Sequence, residues 1–292
     1  MGQGIGEEHQ GRDLTADARR AAVLGSPISH SLSPALHRAA YRELGLTGWT
    51  YEAIECAEAG LPGLLAALGP DWAGLSLTMP LKRAVLPLLD SAEPLVGQVG
   101  GANTVVFGTD GSRRGHNTDV PGMAAALAAA GVTAVPDALV LGAGATACAA
   151  LGALGQLGAR EVTAAVRNPA TAREFQAVAG RLGIAVTLAP FGAGPAERSA
   201  WPLLVSTVPS DSAAGYAKRI QSGTVVPDVA FDVVYHPWPT ALAAAAKRAG
   251  AVCVSGFELL LHQAARQVEL MTGLAAPLAE MRAAGLAELA AR

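Results

Sequence analysis

Apolar positions along the chain cluster in short runs that stop at glycine, proline or hydroxyl residues. Each run hands over to a longer Ala- and Leu-rich stretch, the pattern of alternating strands and helices. Residues 20–24 read as a first strand, broken by Gly25-Ser26-Pro27. Ser33 as N-cap and Pro34 at the first helical position then predict a helix to about Leu44. Strands follow over 49–54 and 72–77, with a helix over 57–68 between them, and Pro80 suits the first position of the next helix. The Asp110-Gly111 turn makes a hairpin of residues 104–107 and 114–118, before a helix from Val120. Residues 139–141, a Gly142-Ala143-Gly144 turn and an Ala-rich helix to about Leu157 come next, then strands over 161–166, 185–188, 203–206, 229–234 and 252–254. Helices are expected from about Ala241, from Ser255-Gly256 through Met271, and from about Pro277. The predicted class is α/β with a mainly parallel sheet, and 292 residues suit two domains.

Composition narrows the picture by exclusion. Hydrophobic residues make up 51% of the chain but aromatics only 4%, so the cores must be built from Ala, Leu and Val. A net charge of −3 leaves no basic footprint for nucleic acid or an anionic membrane surface. Residues 138–159 carry no charge, yet Gly and Ala dominate where Leu, Ile, Val and Phe are needed for membrane insertion. Cys56, Cys148 and Cys253 are far apart, with no Cys-x-x-Cys pair, so neither a disulfide framework nor a metal site is expected and a cytoplasmic location fits. Residues 1–18 are polar and Gly-rich, without an apolar secretory core, and read as a disordered tail.

The chemistry starts at the glycine turn. Strand, glycine turn and helix in succession open a Rossmann unit. Gly142 turns the chain sharply, Gly144 lets backbone N–H groups approach a pyrophosphate, and Ala145 and Thr146 begin the helix whose positive end faces that anion. A tight strand-to-helix turn without a ligand is the plain alternative. The strand over 161–166 ends in Arg167-Asn168-Pro169, where NAD-binding folds carry an acid for the ribose 2′-OH; an arginine there favours the 2′-phosphate of NADP. In the first half, Ser31, Thr78 and Lys82 all fall at strand ends, where the functional edge of a parallel sheet gathers. Lysine is scarce, occurring only at Lys82, Lys218 and Lys247, so a lysine kept in a structured turn asks for a specific reason. Asp119 is a candidate helix N-cap as well as a carboxylate at a domain border.

Taken in order, several stretches resemble shikimate dehydrogenases, enzymes that interconvert 3-dehydroshikimate and shikimate with NADP. They are Gly25-Ser26-Pro27-Ile28-Ser29-His30-Ser31-Leu32-Ser33-Pro34, Thr78-Met79-Pro80-Leu81-Lys82, Gly101-Ala102-Asn103-Thr104, Asn117-Thr118-Asp119, Gly142-Ala143-Gly144-Ala145, the Tyr235 loop, and Gly256 with Gln263. The resemblance implies a substrate domain over residues 19–120 completed by 256–292, with an NADP-binding Rossmann domain inserted over 121–255. It implies that Ser31 and Ser33 bind the substrate carboxylate, that Thr78, Asn103, Tyr235 and Gln263 line the ring, and that Lys82 and Asp119 handle the proton. On the cofactor side it implies Gly142, Ala143, Gly144, Ala145 and Thr146 at the pyrophosphate, Arg167 at the 2′-phosphate, and Val233 and Gly256 near the nicotinamide. The partners implied are small molecules, in a monomer or homodimer.

The chain departs from the family at Val166, where Asn is usual, at Ser76-Leu77-Thr78 for Asn-Val-Thr, and across residues 206–210. Lysine suits the proton role because its ammonium can deprotonate, whereas arginine in practice does not. Quinate or an aminoshikimate as substrate, and a non-catalytic NADP-binding sensor, are the alternatives. A short-chain dehydrogenase is disfavoured, since no tyrosine starts a Tyr-x-x-x-Lys motif.

Overall fold

The computed structural model describes residues 18–191 and 198–292, so the expected N-terminal tail lies, except for Ala18, outside the described residues. The first half runs β1 (Arg19–Gly25), α1 (Ser33–Glu43), β2 (Trp49–Glu55), α2 (Leu61–Ala67), β3 (Trp72–Leu77), α3 (Leu81–Ala84), β4 (Ser91–Ala92), α4 (Pro94–Val99), β5 (Thr104–Phe107) and β6 (Arg113–His116). After α5 (Asp119–Ala129) come β7 (Asp137–Leu141), α6 (Ala145–Gln156), β8 (Glu161–Val166), α7 (Arg173–Leu182), β9 (Ala185–Pro190), β10 (Ala200–Ser206), α8 (Ser210–Gln221), β11 (Val226–Asp232), α9 (Ala241–Arg248) and β12 (Val252–Ser255). The chain closes with α10 (Gly256–Thr272) and α11 (Leu278–Ala290).

These strands form two six-stranded sheets. The first is ordered β2-β1-β3-β5-β6-β4; its β1, β2 and β3 are parallel, and the β5–β6 hairpin joins β3 antiparallel. The second is ordered β12-β11-β10-β7-β8-β9, parallel at every pairing. Counting from β7, this is the doubly wound order that reverses beside the first strand, which opens a crevice at the carboxyl ends of β7 and β10.

Small residues bring the layers close. Ala147, Cys148, Ala149, Ala150 and Ala153 of α6 are buried, and the helix packs on α4, α5 and α7 as well as on β7. A Cβ on Gly152 would lie 2.8 Å from Val120 and 2.9 Å from Val99, so that glycine lets α6 meet the first half of the chain. Helix α10 returns to the first half, packing on α5, α1 and β3.

Two expected helix starts differ. Ser33 does not cap α1: Leu32 holds the N-cap position, and the Ser31 hydroxyl accepts the Ser33 N–H at 3.3 Å. Asp119 does not cap α5 either, because the Asn117 side chain accepts the Val120 N–H at 3.2 Å and leaves the Asp119 carboxylate free for a tertiary partner.

His37 of α1 is fully buried, stacks on Tyr51 with ring centroids 3.9 Å apart, and donates from Nδ1 to the Ser33 carbonyl at 2.9 Å. Burial lowers its pKa from 6.5 to about 4, only partly opposed by that hydrogen bond. An imidazole held neutral in the fold but protonated in the unfolded chain contributes stability present above pH 6.5 and lost as pH falls toward 4. Urea unfolding should therefore show a pH-linked loss of about 2 kcal/mol between pH 7 and pH 5. His37→Phe should lack that component, and an unchanged pH slope in the variant would show that another group carries it.

Candidate active site

The carboxyl ends of the two sheets face a shared cavity of about 300 Å³. From the first half it is lined by Ser31 and Ser33 after β1, Thr78 and Lys82 after β3, Asn103 before β5, and Asp119. Thr146, Val233, Tyr235, Gly256 and Gln263 also line it, so the first turn of α6, the residue after β11 and α10 reach the same space, whereas Gly142, Ala143, Gly144 and Ala145 lie outside the lining.

Backbone bonding explains why the first-half residues converge. The Ser26 N–H donates to the Met79 carbonyl and the Thr78 N–H to the Leu24 carbonyl, both at 2.9 Å, which laces the turns after β1 and β3 together. Glu55 at the end of β2 accepts the Ser26 hydroxyl at 2.5 Å and the Ile28 N–H at 3.0 Å, bracing the serine turn from outside. The Lys82 carbonyl accepts the Ala102 N–H at 2.9 Å, which sets Asn103 beside the lysine.

Lys82 and Asp119 form the charged centre. Nζ lies 2.5 Å from Oδ2, with side-chain exposures of 15% and 7%, so the pair is mostly withdrawn from water but still opens to the cavity. The other carboxylate oxygen accepts from Asn103 Nδ2 at 2.8 Å. Asn103 is itself fixed, because its Oδ1 accepts the Thr118 N–H at 2.7 Å and the Thr104 hydroxyl at 3.0 Å. Asn103 Nδ2 also approaches Gln263 Oε1 at 3.4 Å. Breaking such a buried pair by removing one member leaves an uncompensated charge, so its presence at a cavity wall needs a use.

Among the lining residues without a role assigned from the sequence, Ser76 and Gln267 bond into the polar network. Ser76 Oγ donates to Gln267 Oε1 at 2.8 Å and accepts from the Tyr51 hydroxyl at 2.7 Å. Gln267 Nε2 donates to Thr104 Oγ1 at 3.0 Å. Gln267 sits one helical turn beyond Gln263, on the same face of α10, and that spacing was the available signal. Ser76 is a polar residue inside a wholly buried strand, which was another.

The second half supplies a place for a nucleotide. Gly142 has φ +105°, and a Cβ there would meet Thr207 Oγ1 at 2.7 Å, so only glycine makes this turn. A Cβ on Gly144 would meet nothing within 4 Å, leaving an open approach to the backbone at the start of α6. Ala143 and Ala145 flank it. Arg167 is exposed directly after β8, away from the cavity lining. Gly256 is tight: a Cβ would overlap the Val233 carbonyl, so these two residues form one backbone wall of the cavity. Among the described residues no group of three or more His, Cys, Asp or Glu side chains is placed to hold a metal ion, and no helix is long and apolar enough to cross a membrane.

A doubly wound sheet with a glycine turn, facing a second α/β unit across a cleft with a lysine–carboxylate pair, defines the class of two-domain oxidoreductases with a Rossmann-type half. Comparison with known proteins makes this specific. Residues 23–105 match the shikimate dehydrogenase substrate binding domain and residues 256–284 the shikimate 5′-dehydrogenase C-terminal domain. The shikimate dehydrogenase (NADP(+)) of Methylobacterium radiotolerans is 37% identical over 262 residues, covering 87% of this chain and 91% of its own. The crystal structure of Mycobacterium tuberculosis shikimate dehydrogenase aligns with TM-score 0.83 at 44% identity, over 92% of this chain and 99% of its own. Quinate dehydrogenase from Corynebacterium glutamicum in complex with NAD aligns with TM-score 0.81 at 28% identity, over 93% and 99%. The chain belongs to the shikimate dehydrogenase family.

The placement of Gln263 depends on close helix contact. A Cβ on Gly122 of α5 would lie 2.9 Å from both Cβ and N of Gln263, where the helix backbone cannot yield cheaply. Gly122→Ala should therefore destabilise by about 1–3 kcal/mol through overpacking, even though Ala is the better helix former. Gly215→Ala in α8, where a Cβ meets nothing within 4 Å, should stabilise by about 0.5–1 kcal/mol. Thermal unfolding of both variants checks the contrast; shifts of the same sign would contradict it.

Proposed function

We propose that the protein reduces 3-dehydroshikimate to shikimate with NADPH, reversibly. The observation that carries this reading is the Lys82–Asp119 pair at 2.5 Å in the wall of a cavity that Ser31 and Ser33 also line. The family relationship and the NADP(+) in the name of the Methylobacterium relative support it.

The site suits a small hydroxylated carboxylate. Ser31 and Ser33 take the carboxylate through their hydroxyls, at the turn that leads into α1. Thr78, Asn103, Tyr235 and Gln263 surround the ring and pair with its hydroxyls. A site built this way rejects analogues lacking a hydroxyl, because its own polar groups would stay unpaired.

The residues on the second half fit a dinucleotide. The open backbone at Gly144, the turn at Gly142 and the start of α6 with Ala143, Ala145 and Thr146 receive the pyrophosphate. Arg167, exposed after β8, would hold the 2′-phosphate through its guanidinium. The Val233–Gly256 wall forms the shelf for the nicotinamide. When bound, the reduced nicotinamide supplies the hydride for the ketone carbon. Lys82 donates a proton to the carbonyl oxygen as charge develops there, and in the reverse direction accepts it from the alcohol. Asp119 holds the ammonium in place through Oδ2, and Asn103 holds Asp119 through Oδ1.

Assay of NADP+ reduction with shikimate and quinate side by side tests the reading. Turnover should be fast with shikimate and NADP+; preference for quinate, or no turnover with either acid, would contradict it. Lys82→Ala should lower kcat by about two to four orders of magnitude, the scale of general acid–base catalysis, with little change in KM. Near-wild-type turnover would remove the lysine from the proton step. Arg167→Ala should weaken NADPH far more than NADH, and equal effects on both would remove the 2′-phosphate assignment.

A further inference from the structure

The serine turn that receives the carboxylate in this reading is held on its outer side by a residue far away in the chain. Arg292, beyond the end of α11, donates from Nη1 to the His30 carbonyl at 2.7 Å and from Nη2 to the Ser31 carbonyl at 3.5 Å. The Tyr235 hydroxyl donates to the same His30 oxygen at 3.3 Å. Glu288, one turn back on α11, lies 3.7 Å from Nη2 and orients the guanidinium, whose side chain is only 20% exposed.

Packing brings the arginine there. Gly285 lets α11 sit close to its neighbours, since a Cβ would lie 2.7 Å from both Leu36 of α1 and Phe257 of α10. Leu32, Leu36, Leu261 and Met281 fill one apolar cluster, and Leu289 near the end of α11 packs against it, which anchors that end beside α1. A guanidinium presents several donors in a planar fork and can grip successive carbonyl oxygens, which an ammonium on a flexible stem does not.

The charge distribution gives the grip a purpose. Lys82 is the cavity's lining cation among the described residues, and it is engaged by Asp119. The carboxylate end is lined instead by hydroxyls, and hydroxyls discriminate only if the backbone that carries them is held in register. With the Ser31 carbonyl turned toward Arg292, the trans peptide turns the Leu32 N–H the opposite way. Arg292 therefore grips the carbonyl side of the peptides linking His30, Ser31 and Leu32, where the Ile28 carbonyl accepts the Ser31 N–H at 2.9 Å and Glu55 braces the start of the same turn.

We propose that Arg292 is a positioning residue for the substrate carboxylate, acting through the His30 and Ser31 carbonyls to hold the turn that presents the Ser31 and Ser33 hydroxyls. The inference rests on the carboxylate-binding reading of those serines.

Its test is a KM-against-kcat comparison in the full chain, using shikimate and NADP+. Arg292→Gln should raise the KM for shikimate about tenfold, the scale of one charge-assisted hydrogen bond. Its kcat and its KM for NADP+ should stay within about twofold, as expected when binding common to ground and transition states is lost. Arg292→Lys should keep the raised KM, because an ammonium does not reproduce the fork; it also carries the test if the Gln variant does not fold. A wild-type shikimate KM in Arg292→Gln, full recovery in Arg292→Lys, or an equal rise in the NADP+ KM would overturn the proposal. Absence of shikimate turnover in the wild-type protein would instead overturn the proposed function, so the two failures are distinguishable.

Discussion

The ion pair between Lys82 and Asp119 imposes the strictest demand on the fold. Its members come from α3 and the first residue of α5, and both are largely shielded from water. Shielding two charges is costly unless geometry and further hydrogen bonds compensate. Here Asn103 supplies the extra donor to Asp119, and Thr118 and Thr104 hold Asn103 in turn. Helix α10 completes the polar shell with Gln263 and Gln267, although it follows the second sheet in sequence. The return of α10 to the first half thus serves the charged centre as much as the core.

The second constraint is that two sheets must point their carboxyl edges at one space. Small residues at contact points make this possible. Gly152 lets α6 approach Val99 and Val120, Gly122 lets α5 approach α10, and Gly256 lets the start of α10 pass the Val233 carbonyl. Gly152 and Gly256 bring residues of one half against the other, and Gly122 ties α10 back to α5. The low aromatic content fits the same design, since alanine-rich helices sit close to their sheet and leave little room for rings.

Local signals carried much of this arrangement. The apolar run over residues 72–77 is β3, and the strand–glycine–helix succession is β7 and α6. Ser31, Ser33, Thr78, Lys82, Asn103, Asp119, Tyr235 and Gln263 are brought to one cavity. The misreadings have a common cause in competition from distant partners. Asp119 has the form of an N-cap, but Lys82 takes its carboxylate and Asn117 takes the capping bond. Ser33 looks like a cap before Pro34, yet the hydroxyl of Ser31 receives its N–H and the helix begins a residue early. The brief β4, which pairs with β6 through two positions, has no periodicity to read. Ser76 and Gln267 meet across 191 positions of sequence, and their bond is a property of the folded chain rather than of either segment.

The most direct test of the central claim is a crystal structure of the protein with shikimate bound. The account predicts the substrate carboxylate at the Ser31 and Ser33 hydroxyls, and the hydroxyl that becomes the ketone within hydrogen-bonding distance of Lys82 Nζ. A complex with the carboxylate paired to Lys82, or with the ring held away from the Lys82–Asp119 pair, would contradict it.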